Sequence, residues 1–275
     1  MFSQILYGGD YNPEQWAEEI WDEDVSLMRE AGVNTATAAV FAWVTLQPAE
    51  DTYQFAWLDR VVAKLHAGGI GVCLATATAS VPAWMDRAYP DVRRTDINGR
   101  KLKHGGRHSF CPNSPNFRRL AASLVTRLAE RYVSHPAVIA WHVSNEYGSP
   151  CYCDLCAAGF LVWLQARYGS LASVNRAWHS IFWGHTFTEW AEIETPTLDG
   201  DRSMPSLLVD YDRFQSDSLL ACYKAERDIL RAGGALQPIT TNLMGTFKSL
   251  NYQHWAREMD IIGMRVRPLA SAKGI

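Results

Sequence analysis

The sequence predicts an α/β chain folded as a (β/α) barrel. Three observations carry this: short apolar runs alternate with amphipathic stretches, the alternation repeats along nearly the whole chain, and no Gly-x-Gly-x-x-Gly turn follows the first run. Buried strands alternating with helices imply a parallel sheet, and their regularity favours a barrel over an open sheet. The missing glycine turn counts against a dinucleotide fold.

Taken in order, ILYGGDY is the first strand. The helix WAEEIWDEDVSLMREAG follows it, with Trp16, Ile20, Leu27 and Met28 expected on one face before Gly32 stops it. VNTATAAVFAW gives the second strand and WLDRVVAKLHAGG the helix behind it. IGVCLATAT is the third strand, and the long loop YPDVRRTDINGRKLKHGGRHSFCPNSP comes after it. NFRRLAASLVTRLAERYV reads as a helix leading into the fourth strand, VIAWHVSNE; PITTNLMG and DIIGM supply a fifth and a sixth. In a barrel the chemistry sits at the carboxyl ends of the strands, and Asp10, Trp43, Asn145 and Glu146 fall at such ends.

At 275 residues and 48% hydrophobic content the chain can fill a real core, as one large α/β domain or two small ones. A net charge of −3 without a Lys/Arg block excludes nucleic acid as a partner. The amino terminus lacks a basic start before a long apolar stretch, and no window resembles a membrane span, so a soluble, cytoplasmic protein is expected. In that setting clustered cysteines read as metal ligands rather than disulfides. The 11 tryptophans exceed ordinary usage; some can stack on sugar rings, although each taken singly is better read as core.

Glu146 follows an apolar run, beside Asn145 and between Trp141 and Tyr147. Burial there disfavours the ionised carboxyl, which suits a general acid; the alternative is a surface carboxylate at a strand end. Cys151, Cys153 and Cys156 form a Cys-x-Cys-x-x-Cys run, and Cys111 ends the loop after the third strand. Four thiolates make a closed structural zinc site with no open position for water, the alternative being unconnected reduced thiols. Such a metal would be scaffold, pinning two loops together, while Glu146 carries the chemistry. Cys73 and Cys222 read as core residues. Arg107, four residues before Cys111, would then reach the same rim and bond a sugar hydroxyl or orient a carboxylate, and Trp183, beside Gly184, is a loop residue able to wall a sugar pocket.

In that order, YGGDYNPEQW, VFAWVTLQPAEDTYQF, RHSFCPNSP, WHVSNEYG and the cysteine loop resemble the β-galactosidases of glycoside hydrolase family 42. The resemblance implies a TIM (β/α)8 barrel and a retaining glycosidase that releases terminal β-galactose from small-molecule β-galactosides. It implies Glu146 as proton donor, Arg107, Asn145 and Trp183 as substrate contacts, and zinc on Cys111, Cys151, Cys153 and Cys156. It further implies homo-oligomers, commonly trimers.

Retaining hydrolysis needs a second carboxylate about 5 Å from the first. The resemblance places that nucleophile after a seventh strand, whereas six of eight strands are readable here. Residues 1–262 are therefore expected to be the N-terminal part of the catalytic barrel, and 263–275, a short basic tail, to be truncated or frameshifted. Asp10 shares the rim, but nothing in its spacing argues for the required separation. The expectation is a chain with little or no activity alone; the alternative function is an inactive, zinc-stabilised, galactoside-binding remnant. A zinc-ribbon interaction module, suggested by the cysteines alone, is the weakest reading.

Overall fold

The computed structural model describes residues 4–197, 204–245 and 247–264. Six strands form one parallel sheet in the order β1 (Gly8–Tyr11), β2 (Thr35–Ala38), β3 (Gly71–Ala75), β4 (Val138–His142), β5 (Ile239–Leu243) and β6 (Ile261–Met264). Each strand pairs only with its sequence neighbours, as successive βα units do when every crossover turns the same way. The arrangement is a partial (β/α) barrel. β6 runs two residues past the predicted boundary of 262, and residues 265–275 of the predicted tail lie outside the described residues.

Nine helices are present among the described residues. They are α1 (Trp21–Glu30), α2 (Trp43–Leu46), α3 (Ala56–Ala67), α4 (Ala83–Ala88), α5 (Pro115–Tyr132), α6 (Asp154–Tyr168), α7 (Leu171–Trp178), α8 (Pro205–Ala232) and α9 (Tyr252–Ala256). Among the described residues no helix is long and apolar enough to cross a membrane. α5 starts cleanly because Pro115 takes the first helical position and the Ser114 hydroxyl accepts from the Phe117 amide.

Ala38, Leu74, Trp141 and Ile239 lie in register across β2 to β5, and all four are fully buried against the helical layer. Thr37 and Cys73, one position earlier, are half-buried on the opposite face. That alternation is what a period-two strand with unequal faces produces.

The first helix differs from expectation. Trp16, Ile20 and Leu27 are 57%, 40% and 54% exposed, and the anchor is Trp21, which is buried, donates to the Pro13 carbonyl at 3.2 Å and meets the Trp57 ring edge-on. The physical reason is phase. A 3-10 turn over Glu18–Ile20 separates the predicted start from α1, so the helical face restarts at Trp21 and continues through Val25 and Met28, both packed on the core. Trp43 also lies beyond its strand, in α2, fully buried with its indole donating to Gln47 at 2.8 Å; it is a core residue.

Two apolar clusters result. The larger fills the space between sheet and helices, and the smaller gathers Phe160, Leu164, Trp178, Tyr211 and Phe214 around Cys111, Cys151 and Cys156. α8 is long enough to serve both: Tyr211 and Phe214 enter the smaller cluster, and Leu219, Tyr223 and Leu230 the larger.

Candidate active site

β4 ends at His142, and the chain then turns sharply. Ser144 and Glu146 both take left-handed backbone conformations, with φ of 52° and 46°. For side chains with a Cβ this costs about 1–2 kcal/mol per residue, so the surroundings must hold the turn in place. They do so from both sides. The Ser144 amide donates to the Thr76 hydroxyl at 2.9 Å, and the Glu146 amide donates to Asn242 Oδ1 at 2.8 Å. Asn242 Nδ2 in turn donates to Asn145 Oδ1 at 2.9 Å, so one β5 side chain fixes two adjacent residues. Ser144, Asn145 and Glu146 are all buried.

Arg107 completes this corner. Its Nη1 lies 2.7 Å from Glu146 Oε2, an ion pair between an exposed guanidinium and a carboxylate only 4% exposed. Burying a carboxylate without a partner costs several kcal/mol or more, and the guanidinium offsets that penalty. Two histidines stand close by in neutral form. His142 is pushed down to about 4 by burial, and His108 to about 4 by burial and then by the Arg107 charge.

The loop that carries Arg107 is itself tied down. Backbone bridges pair Arg93 with Phe110 and Thr95 with Lys101, and Phe110 stacks on Phe117 of α5 with centroids 4.0 Å apart. At its base sits Cys111. The sulfurs of Cys111, Cys151, Cys153 and Cys156 all lie within 4.8 Å of one another, and Cys111 Sγ is 3.5 Å from both Cys153 and Cys156. Four thiolates at zinc–sulfur lengths stand roughly 3.8 Å apart along a tetrahedral edge, so the donor set fits a closed four-sulfur metal site. The thiol cluster also receives polar hydrogens: Thr95 N donates to Cys151 Sγ at 3.4 Å and Asn113 Nδ2 to Cys156 Sγ at 3.3 Å, as sulfurs bearing negative charge require. Hydrogen bonds from Cys111 and then Cys151 draw the Cys153 thiol far below its ordinary range, while Cys111 is driven up by its three neighbours. α8 holds the second loop, since Gln215 bonds both the amide and carbonyl of Cys151 and Tyr211 donates to that carbonyl at 2.7 Å.

The structure thus brings Glu146, Asn145 and Arg107 together and gathers the four cysteines. Trp183 is 63% exposed, and its ring stacks on Phe182 and meets His185 edge-on. Sequence reasoning missed Asn242 and Thr76, whose only signal was a polar residue at the end of an apolar run.

This site can be set beside known proteins. The model of glycoside hydrolase family 42, described as beta-galactosidase, matches residues 10–272. The chain belongs to this family. Among family relatives, beta-galactosidase BgaP from Planococcus sp. (strain L4) is 53% identical over 266 residues, covering 94% of this chain and 39% of that protein. The crystal structure of a beta-galactosidase from Bacillus circulans sp. alkalophilus superposes with a TM-score of 0.95 at 48% identity, covering 98% of this chain and 41% of that one. A cold-adapted beta-galactosidase from Rahnella sp. R3 gives 0.96 at 40% identity, covering 99% and 40%. The chain therefore spans about two-fifths of the length of these family members.

Proposed function

We propose that this chain carries the acid/base half of a retaining β-galactosidase site. The observation that supports this most is the buried Glu146 carboxyl, presented on a braced left-handed turn and met by Arg107 at 2.7 Å. In this reading Glu146 protonates the departing glycosidic oxygen and then activates water, as a retaining mechanism requires of one residue. Arg107 orients the carboxyl and, with Asn145, bonds sugar hydroxyls; Trp183 walls the pocket. Residues 1–262 act as the N-terminal part of the barrel, and the nucleophilic carboxylate comes from a later strand end.

The four cysteines hold zinc, which fixes loop geometry and takes no part in bond breaking, since four sulfurs leave no open position. Cysteines that serve as metal ligands rather than disulfides suit a cytoplasmic, reducing setting. A trimer is the proposed assembly.

The test is hydrolysis of a chromogenic β-galactoside by the purified chain, with Glu146→Gln alongside. Turnover that disappears in the variant supports the acid/base role of Glu146 and places a nucleophile within this chain, against the half-site reading. Turnover that persists in it refutes the role of Glu146. A chain that binds a galactose-configured inhibitor without turnover fits both the half-site and the inactive galactoside-binding alternative, and turnover gained when the later barrel strands of a family member are joined to it separates the two.

A further inference from the structure

Behind the turn that presents Glu146 lies a carboxylate with no place in the chemistry above. Glu226 sits on α8 between the buried residues Cys222 and Leu230, one helical turn away on either side, and is itself only 3% exposed. A small cavity of about 20 Å³ reaches it from the helix side, lined by Phe117, Ala121, Ala122 and Ile229 and by Arg118. A residue needed only for packing in such surroundings would be apolar, because a buried carboxyl is costly unless its hydrogen bonds are used. They are used in one direction. Glu226 Oε2 accepts from the Thr76 hydroxyl at 2.6 Å and from the Thr78 hydroxyl at 3.0 Å.

Donating its only proton to Glu226 leaves the Thr76 oxygen as an acceptor, and the group it accepts from is the Ser144 amide at 2.9 Å. We propose that Glu226 is a positioning residue: through the Thr76 hydroxyl it fixes the Ser144 amide, and with it the left-handed turn that presents Glu146. Its consequence for catalysis rests on the reading of Glu146 as proton donor; the relay itself does not.

Glu226 thereby replaces freedom of hydroxyl rotation with a single orientation. Without an acceptor behind it, the Thr76 hydroxyl can turn its proton toward the Thr78 oxygen 3.3 Å away or toward the turn, and the Ser144 amide then meets a rotor rather than a fixed lone pair. On the opposite wall of the turn Asn242, from β5, bonds Glu146 and Asn145 rather than the Ser144 amide.

The test is amide hydrogen exchange read by NMR on the full chain. In Glu226→Leu, exchange at Ser144 accelerates by about tenfold or more, while Glu226→Gln, which keeps an oxygen acceptor, stays within about threefold of the native chain. Thr76→Val, with Glu226 untouched, removes the accepting oxygen itself and sets the exchange rate expected when the bond to the Ser144 amide is lost altogether. Amides in the centre of α5 report global stability, and exchange at Ser144 is read relative to them in every variant. Exchange at Ser144 that stays native relative to α5 in Glu226→Leu or in Thr76→Val, or that rises only in step with α5, overturns the proposal. No substrate enters this measurement, so failure of the glycosidase reading is seen separately, as a native chain that does not bind a galactose-configured iminosugar.

Discussion

The same carboxyl gives a quantitative prediction about stability. Burial pushes Glu226 up from 4.5 to about 7, against two threonine hydroxyls that favour the charged form. The folded chain therefore holds this proton more tightly than the unfolded chain does. Its stabilising contribution is complete below pH 4.5 and is lost as pH rises through about 7. At about 1.4 kcal/mol per pH unit, that gap amounts to about 3 kcal/mol. Glu226→Gln removes the titration while keeping shape. Urea unfolding followed by circular dichroism, from about pH 5 to about pH 8, reads the difference between the two chains. Relative to the variant, the native chain should lose about 1.4 kcal/mol per pH unit up to about pH 7 and then level off. Other titrating groups, the cysteine cluster included, are common to both chains and cancel. Parallel curves for the two proteins would show that Glu226 titrates as an ordinary carboxyl and would refute the reasoning.

Four further outcomes follow from the geometry. Asn242→Ala leaves the Glu146 amide and the Asn145 oxygen without their partner, and should lower stability by about 2 kcal/mol in urea titrations while weakening any galactose-configured ligand. Arg107→Ala strands the buried Glu146 carboxyl without its cation and should cost about 2–3 kcal/mol of stability, less than a fully buried pair because the guanidinium is partly exposed, and should abolish ligand binding; unchanged affinity by calorimetry would remove Arg107 from the site. Cys156→Ser should release the metal and lower the thermal midpoint, whereas Cys73→Ser, outside the cluster, should leave the zinc content measured by elemental analysis unchanged. In Gly148→Ala the new methyl would fall 2.2 Å from the Phe247 ring, destabilising the chain by about 1–3 kcal/mol, and Phe247→Leu in the same chain should recover part of that loss.

Much of the fold was legible because it depends on local patterns. All six strands stand where short apolar runs placed them, and α3 and α5 follow from apolar residues at helical spacing. The first helix went wrong at a single point, the 3-10 turn over Glu18–Ile20, since a change of helix type shifts phase without changing composition. α6 and α8 escaped for a different reason. Their buried faces mix Cys156, Gln215, Ser216, Ser218 and Glu226 with the apolar residues, so hydrophobic spacing alone does not reveal them.

The sequence by itself determined the strand succession, the family motifs and the candidacy of Glu146, Asn145, Arg107 and the cysteines. Each of these is written in neighbouring residues, whose chemistry and spacing need no knowledge of the rest of the chain. Only the tertiary structure decided that Cys111 closes on three sulfurs some forty residues away. It alone joined Asn242 to Glu146 across 96 positions, and Glu226 to Thr76 across 150. A hydrogen bond acts only within about 3 Å, and which distant groups come that close is settled by how helices pack on a sheet, not by their order in the chain.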